Sequence, residues 1–294
     1  MRTPFLLVSA ILVPGLAAAQ DVTVDVAMHY TEEQAAPLLA CFDRYEAANP
    51  GVSIAYQQIS YGEYLQTVLT ARIGGTAPDI YNVYGSLWGA QMVDNGVLAE
   101  APPRIVEMLE SDFLTDPAGS ATIDGAVWGV PTEVSAYMLV SNMALLEAAG
   151  YDAPPATWDE ALEIAEAVTT RTDQGRIGNA GFAFAESSSG AGVVHPFYAL
   201  MASRGAAIYA DDFSSANLDG PEAVAAAEDM ARMVARGITE RSIDAYDFPA
   251  GGIGMMVMAN WYESAIRDGL GDGFDDVTVS SIPAGDGWQT MQYA

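Results

Sequence analysis

The stretch DVTVDVAMHYTEEQAAPLLACFDRYEAANPGVSIAYQQISYGEYLQTVLTARIGGTAPDIYNVY, residues 21–84, decides the fold. Asp21 to Met28 sets Val22, Val24 and Val26 at alternate positions, the period of a half-buried strand. Pro37 to Ala48 carries Leu38, Leu39, Phe42 and Tyr45 at helical spacing and stops at Asn49-Pro50-Gly51. Val52, Ile54 and Tyr56 alternate again. Ser60 and Glu63 predict a capping box ahead of Tyr64, Leu65, Val68 and Leu69, and Gly74-Gly75 ends that helix. Pro78-Asp79 introduces a strand-like run from Ile80 to Tyr84. A β-α-β-α-β opening of this kind predicts an α/β sheet with parallel strands.

Later residues keep the same character. Thr157 and Glu160 predict another capping box, opening a helix through Val168. Asp219 is expected to cap a further helix, with Pro221 in its first turn and Val224, Met230, Met233 and Val234 along it. Gly237 suits its end. There is no repeat of fixed period and no low-complexity tract.

The beginning of the chain reads as an export signal. Arg2 is followed by a mostly apolar run from Phe5 to Leu16, then by Ala17-Ala18-Ala19 as a small-residue cleavage pattern. Residues 1–19 are therefore expected to be a signal peptide, cleaved near Ala19, which places the mature protein in the periplasm. No Cys follows the run to carry a lipid, and no later segment has the ~18 uninterrupted apolar residues of a span, so membrane insertion is not expected.

Charge narrows the partners. The chain has 39 acidic residues against 11 Lys and Arg, for a net charge of −28, which argues against nucleic acid and anionic membrane. A strongly anionic ligand would need an Arg placed for it. The acidic residues are scattered and read as a solvated surface. The single Cys, Cys41, excludes an intrachain disulfide. Its neighbours Leu38, Leu39 and Phe42 predict a buried apolar thiol.

Motifs of catalysis are missing. The chain's two His and one Cys do not make a typical zinc site. His29 ends a predicted strand, where a ligand contact and a structural role are both open. His195, before Pro196, reads as structural. Gly85-Ser86-Leu87-Trp88-Gly89 lacks the spacing of a nucleophile elbow, and without Lys there is no Walker loop. Gly251-Gly252-Ile253-Gly254 and Gly269 to Gly273 miss the dinucleotide fingerprint. Asp272, Asp275 and Asp276 lack calcium-loop order. No cofactor and no metal are expected. Aromatic placement stands out instead: Tyr81, Tyr84 and Trp88 after a strand end, Trp128 before Gly129, and Trp261-Tyr262 after the small-residue segment Met255 to Asn260. Rings that cover C–H faces, with Asp, Glu, Asn or Gln taking hydroxyls, suit a sugar. Core packing is the competing reading for each ring.

At this point the residues resemble a family. Phe42 to Val52 with Asn49-Pro50-x-Val52, Ala77-Pro78-Asp79-Ile80, and Gly96-Val97-Leu98 come in its order. So do Asp124-Gly125 with Trp128-Gly129-Val130-Pro131, then Asn142, and Ala149-Gly150 through Pro154-Pro155-x-Thr157-Trp158-Asp159-Glu160. Arg204-Gly205, the helix of Leu218 to Gly237, and Phe248-x-x-Gly251-x-x-x-Met255-x-x-x-Ala259-x-Trp261 complete the set. The chain resembles the extracellular solute-binding proteins of ABC importers, in the sugar-binding, maltose-binding-protein-like group (family 1). Ser141, Met143, Gly252 and Ala259 depart from the usual residues of that pattern.

The resemblance implies an α/β, two-lobe periplasmic binding protein fold, type II-like, with hinge-connected lobes and a ligand cleft. Lobe 1 would run over 20–129. Lobe 2 would run over 130–275, entered through a crossing strand at 130–140. Residues 276–294 would be the return crossing and the start of the second part of lobe 1, the chain being C-terminally truncated. The implied ligand-binding residues are His29, Tyr30, Asn82, Tyr84, Ser86, Glu133, Ser135, Trp261 and Tyr262, with Trp288 a weaker candidate. The implied function is capture of a mono- or oligosaccharide, by a monomer and without enzymatic chemistry, for ABC permease subunits of the inner membrane. A polyol, a glycerol-phosphate-like compound or another polar solute on the same fold is the alternative. A secreted carbohydrate-active enzyme, needing two carboxylates across a cleft, is the remote one.

Overall fold

Strand β1 (Val22–Met28) is the middle of a three-stranded sheet ordered β2-β1-β3, with β2 (Val52–Gln58) and β3 (Ile80–Tyr81) both parallel to it. The computed structural model describes residues 21–84, 88–112, 121–132, 135–184, 191–210, 215–283, 288–289 and 291–293. The chain divides into two units, Met1–Pro131 and Thr132–Ala294.

In the first unit, α1 (Glu32–Ala48) joins β1 to β2, and α2 (Tyr64–Gly74) joins β2 to β3. Helix α1 begins at Glu32, ahead of the expected Pro37, because Thr31 and Gln34 close a capping box. Cys41 is exposed, contrary to expectation. The inward stripe of α1 passes through Ala35, Leu39 and Phe42, and Cys41 stands one position off it. The Ser60–Glu63 pattern also resolves differently. The Glu63 N–H bonds the Ser60 carbonyl at 3.0 Å, making a 3₁₀ turn over Tyr61–Glu63, and α2 starts after it with no side-chain cap. Gly75 ends α2 at φ 69°, in the left-handed region. Beyond lie α3 (Ala90–Asp94), α4 (Pro103–Asp112) and a hairpin of β4 (Thr122–Ile123) and β5 (Ala126–Val127). Asp124 and Gly125, at φ 51° and 80°, supply the positive dihedrals of its two-residue turn.

The second unit holds β6 (Ser135–Asn142), α5 (Met143–Ala148), α6 (Trp158–Val168), β7 (Ala180–Ala183), α7 (Ala191–Ala202), α8 (Pro221–Ala235), β8 (Ile253–Ala259), α9 (Glu263–Leu270), β9 (Val277–Ser280), β10 (Ile282–Pro283), β11 (Trp288–Gln289) and β12 (Met291–Tyr293). The sheet runs β12-β6-β8-β7. On the edge of β6 away from β8, β9 lies along Leu139–Asn142 and β12 along Ser135–Tyr137. Strand β9, in the segment read as the return crossing, thus pairs inside the second unit. Strand β8 is buried throughout, with Met255, Val257 and Ala259 in one core cluster and Met256 and Met258 in the other.

The Thr157–Glu160 box caps α6 as expected. Helix α8 is capped by Gly220 without a side-chain bond, so Asp219 does not fill that role. Pro221, having no N–H, needs no acceptor at the first position. Buried Asp229 of α8 pairs with Arg204 and Arg232, and Arg232 reaches Asp159 of α6 at 3.0 Å, fastening α8 to its neighbours.

Candidate functional site

The parallel sheet of the first unit sets up its site. From β1 the chain crosses to β2 on one side and then to β3 on the other. At such a switch point the loops leaving the carboxyl ends diverge and leave a crevice, the usual ligand position in open α/β sheets. The residues there are His29 and Tyr30 after β1, Tyr61 and Tyr64 after β2, and Asn82 and Tyr84 after β3.

These side chains converge on His29. Its ring lies 4.2 Å from Tyr30, 5.1 Å from Tyr84, 5.6 Å from Tyr61, 5.9 Å from Trp88 and 6.2 Å from Tyr64, centroid to centroid. Its Nδ1 hydrogen-bonds the side-chain oxygen of Asn82. Burial pushes the His29 imidazole below its usual 6.5, against the opposing pull of that hydrogen bond. Tyr64 is fully buried and stacks on Trp88 at 4.8 Å and 14°. Tyr61 is 39% exposed, so the cluster grades from a core floor to an accessible ring. Burial pushes the Tyr61 and Tyr64 phenols up, and they stay neutral hydrogen-bonding groups at ordinary pH.

Of the sequence-predicted residues in this unit, the structure brings together His29, Tyr30, Asn82 and Tyr84. Ser86 lies outside the described residues. Tyr61 and Tyr64 were missed. Their signal was available, since they follow the end of β2 as His29 follows that of β1. Trp88, picked out as an aromatic but not as a site residue, completes the group. Trp128 serves the β4–β5 hairpin, its Nε1 donating to the Ile123 carbonyl at 3.1 Å.

The second unit has its own aromatic group. Trp261 and Tyr262 lie on a 3₁₀ turn, Asn260–Tyr262, that leaves β8. Tyr246 joins them from the 3₁₀ segment Ala245–Ala250, with ring centroids 6.1 Å from Trp261 and 5.1 Å from Tyr262. The Tyr262 hydroxyl donates to the Tyr246 carbonyl at 2.6 Å. Its phenol is pushed up to about 12, by burial first and then by Tyr246, Asp244 and Asp247. The β6–β8 register sets Tyr137 opposite Ala259, and the Ala136 N–H donates to Asn260 Oδ1 at 2.9 Å. Buried Ser135 therefore lies at the same end of the strand pair as Trp261. Glu133 lies outside the described residues, and Trp288 is in β11. Tyr246 was not foreseen, because nothing in its local pattern marks it.

Among the described residues, no group of three or more His, Cys, Asp and Glu could hold a metal ion. Among the same residues, no helix is long and apolar enough to cross a membrane.

A family model described as bacterial extracellular solute-binding protein matches residues 30–294. A protein of Brucella abortus (strain 2308), named as a binding protein, is 27% identical over 82% of this chain, which spans 58% of its length. The chain thus covers little more than half of that relative. Among solved structures, the GacH receptor of Streptomyces glaucescens GLA.O, known unliganded and with acarbose, matches at TM-score 0.75 and 22% identity, over 92% of this chain and 69% of that one. An ABC transporter solute-binding protein of Thermotoga lettingae, bound with α-D-tagatose, matches at TM-score 0.77 and 18% identity, over 92% and 70%. Maltose-bound MalE3 of T. maritima matches at TM-score 0.74 and 22% identity, over 92% and 70%. The chain shares the α/β fold of these maltose-binding-protein-like structures.

Proposed function

We propose that this chain, which belongs to the family of bacterial extracellular solute-binding proteins, captures a mono- or oligosaccharide in the periplasm. It delivers the sugar to ABC permease subunits in the inner membrane and leaves it chemically unchanged. The protein acts as a monomer after loss of residues 1–19. Hinge-connected lobes, 20–129 and 130–275, are part of this reading.

The carrying observation is the ring cluster around His29 at the switch point of the parallel sheet. Sugars present C–H faces that rings cover and hydroxyls that an imidazole or amide can bind. Half-exposed rings grouped around one His–Asn pair supply both. The acarbose, tagatose and maltose complexes of similarly folded proteins agree with this choice. The ligand set is His29, Tyr30, Asn82, Tyr84, Trp261, Tyr262 and Ser135, with Ser86 and Glu133 included on the resemblance alone.

A thermal-shift screen of sugars and polyols on the full chain tests the proposal. Ligand at about 100 times its dissociation constant adds about 2.7 kcal/mol. If polyols move the midpoint and sugars do not, the ligand class changes. If the purified protein turns over a glycoside, the binding reading falls.

A further inference from the structure

The two ring nitrogens of His29 have different fates. Nδ1 meets the carboxamide of Asn82 on its oxygen side, and because an amide oxygen only accepts, this orientation assigns the proton to Nδ1. In a neutral imidazole Nε2 is then an acceptor. Among the described residues Nε2 has no hydrogen-bond partner. Asn82 is held from behind: its N–H is shared between the Ala27 carbonyl at 3.0 Å and the Tyr64 hydroxyl at 3.1 Å. The aromatic rings packed on the imidazole are those of Tyr30, Tyr61, Tyr64, Tyr84 and Trp88. Burial disfavours an imidazolium and outweighs the Asn82 hydrogen bond, which favours one.

We propose that His29 is a specificity-determining acceptor, whose neutral Nδ1–H tautomer takes a hydrogen bond at Nε2 from a ligand hydroxyl. The neighbouring rings cover that ligand's C–H face. This rests on the sugar reading above and sharpens it. The ligand group at His29 must be a donor. A carboxylate or phosphate oxygen would set lone pair against lone pair and is turned away.

The ring nitrogens can be observed directly by long-range proton–nitrogen NMR on the ¹⁵N-labelled full chain. Without ligand, the expected spectrum shows Nδ1 protonated and Nε2 bare at neutral pH. A protonated Nε2 overturns the proposal, because it means that the Asn82 amide is turned round. Maltose and tagatose are then added as probes. A shift of Nε2 at saturation supports the proposal, and saturation with Nε2 unmoved overturns it. If neither probe nor any other sugar binds, the sugar reading falls and takes the hydroxyl donor with it. The ligand-free spectrum still reports the tautomer, so the two failures are distinguishable. Two variants close the test. His29→Gln keeps an acceptor and should bind within a few-fold of wild type, whereas His29→Leu should lose about tenfold, the worth of one net hydrogen bond. Equal affinities of the two variants, with unchanged thermal midpoints, would contradict the assignment.

Discussion

The Tyr64 hydroxyl donates to the Ala27 carbonyl at 2.6 Å and accepts the Asn82 N–H at 3.1 Å. One phenol on α2 thereby fixes the ends of β1 and β3 beside His29. Tyr64→Phe keeps the stacked ring, and the Asn82 N–H keeps the Ala27 carbonyl as its partner. The expected cost is that of one net hydrogen bond, about 1 kcal/mol. Tyr64→Ala also empties a ring-sized volume from the core and should cost about 3–5 kcal/mol. Urea denaturation of the two variants checks this. Similar losses in both would show that the ring contributes little.

Alkaline pH should expose the buried phenols. Tyr262 has an ordinary value of 10.0 and is held at about 12 in the folded chain. Between those two values the unfolded chain gives up a proton that the folded chain keeps. Stability present below the lower value is therefore lost progressively as pH rises towards the upper one. Tyr64, also raised by burial, acts with the same sign. Tyr262→Phe should flatten the fall in stability over that interval. The check is chemical denaturation at several pH values, beside the tyrosinate absorbance of the folded protein. An unchanged slope in Tyr262→Phe would assign the alkaline loss elsewhere.

The parallel sheet of the first unit was legible from the alternating valines of β1 and the alternation of β2, although in the fold β1 is buried on both faces at Val26, Ala27 and Met28 and β3 is only two residues long. Val52, Ile54 and Tyr56 predict β2, and the strand shows that alternation of burial. Strand β8 was not legible as a strand. It is covered on both faces, so Met255 to Ala259 has no polar alternation and reads only as a small, apolar run. The site divides in the same way. His29 follows a predicted strand end, and Asn82 and Tyr84 lie in the run Ile80 to Tyr84, of which only Ile80–Tyr81 is a strand, whereas Tyr61 and Tyr64 were absorbed into a helix pattern. Tyr246 reaches Trp261 and Tyr262 only through tertiary packing, which no local spacing encodes. Cys41 shows the opposite error, where apolar neighbours suggested burial and the helix phase decided exposure.

Gly181 of β7 lies so close to α6 that a Cβ there would collide with the carbonyl, C and Cα atoms of Ala165. These are backbone atoms in a helix, so no side-chain rotation relieves the contact. Gly181 N–H also donates to Thr169 Oγ1 at 3.1 Å, which fixes the approach. Gly181→Ala should cost about 3 kcal/mol or more, through backbone displacement in a packed core. Gly175→Ala offers a comparison of another kind. It has open space but φ 77°, so it should lose only about 1 kcal/mol from backbone strain. Thermal midpoints of the two variants test the ordering, and a smaller loss at Gly181 would mean that α6 moves freely against the sheet.

Trp261 is half-buried and packs against both core clusters of the second unit. Its indole Nε1 is buried with no hydrogen-bond partner among the described residues. Trp261→Phe therefore gives up no hydrogen bond and should cost little more than the lost apolar area, about 1 kcal/mol. Trp261→Ala should cost about 3 kcal/mol, as truncation of a large aromatic does. A purely structural Trp261 predicts that both variants, once folded, bind sugar as wild type does. A ligand-contacting Trp261 predicts a loss of about tenfold or more in the alanine variant, with the phenylalanine variant between, because a smaller ring still covers part of a sugar face. Calorimetry with maltose and tagatose, at a temperature where both variants are fully folded, separates stability from affinity. Wild-type affinity in Trp261→Ala would remove this residue from the ligand set. It would leave the family membership untouched, because that rests on a match over residues 30–294, and the His29 cluster too, because that is built in the first unit.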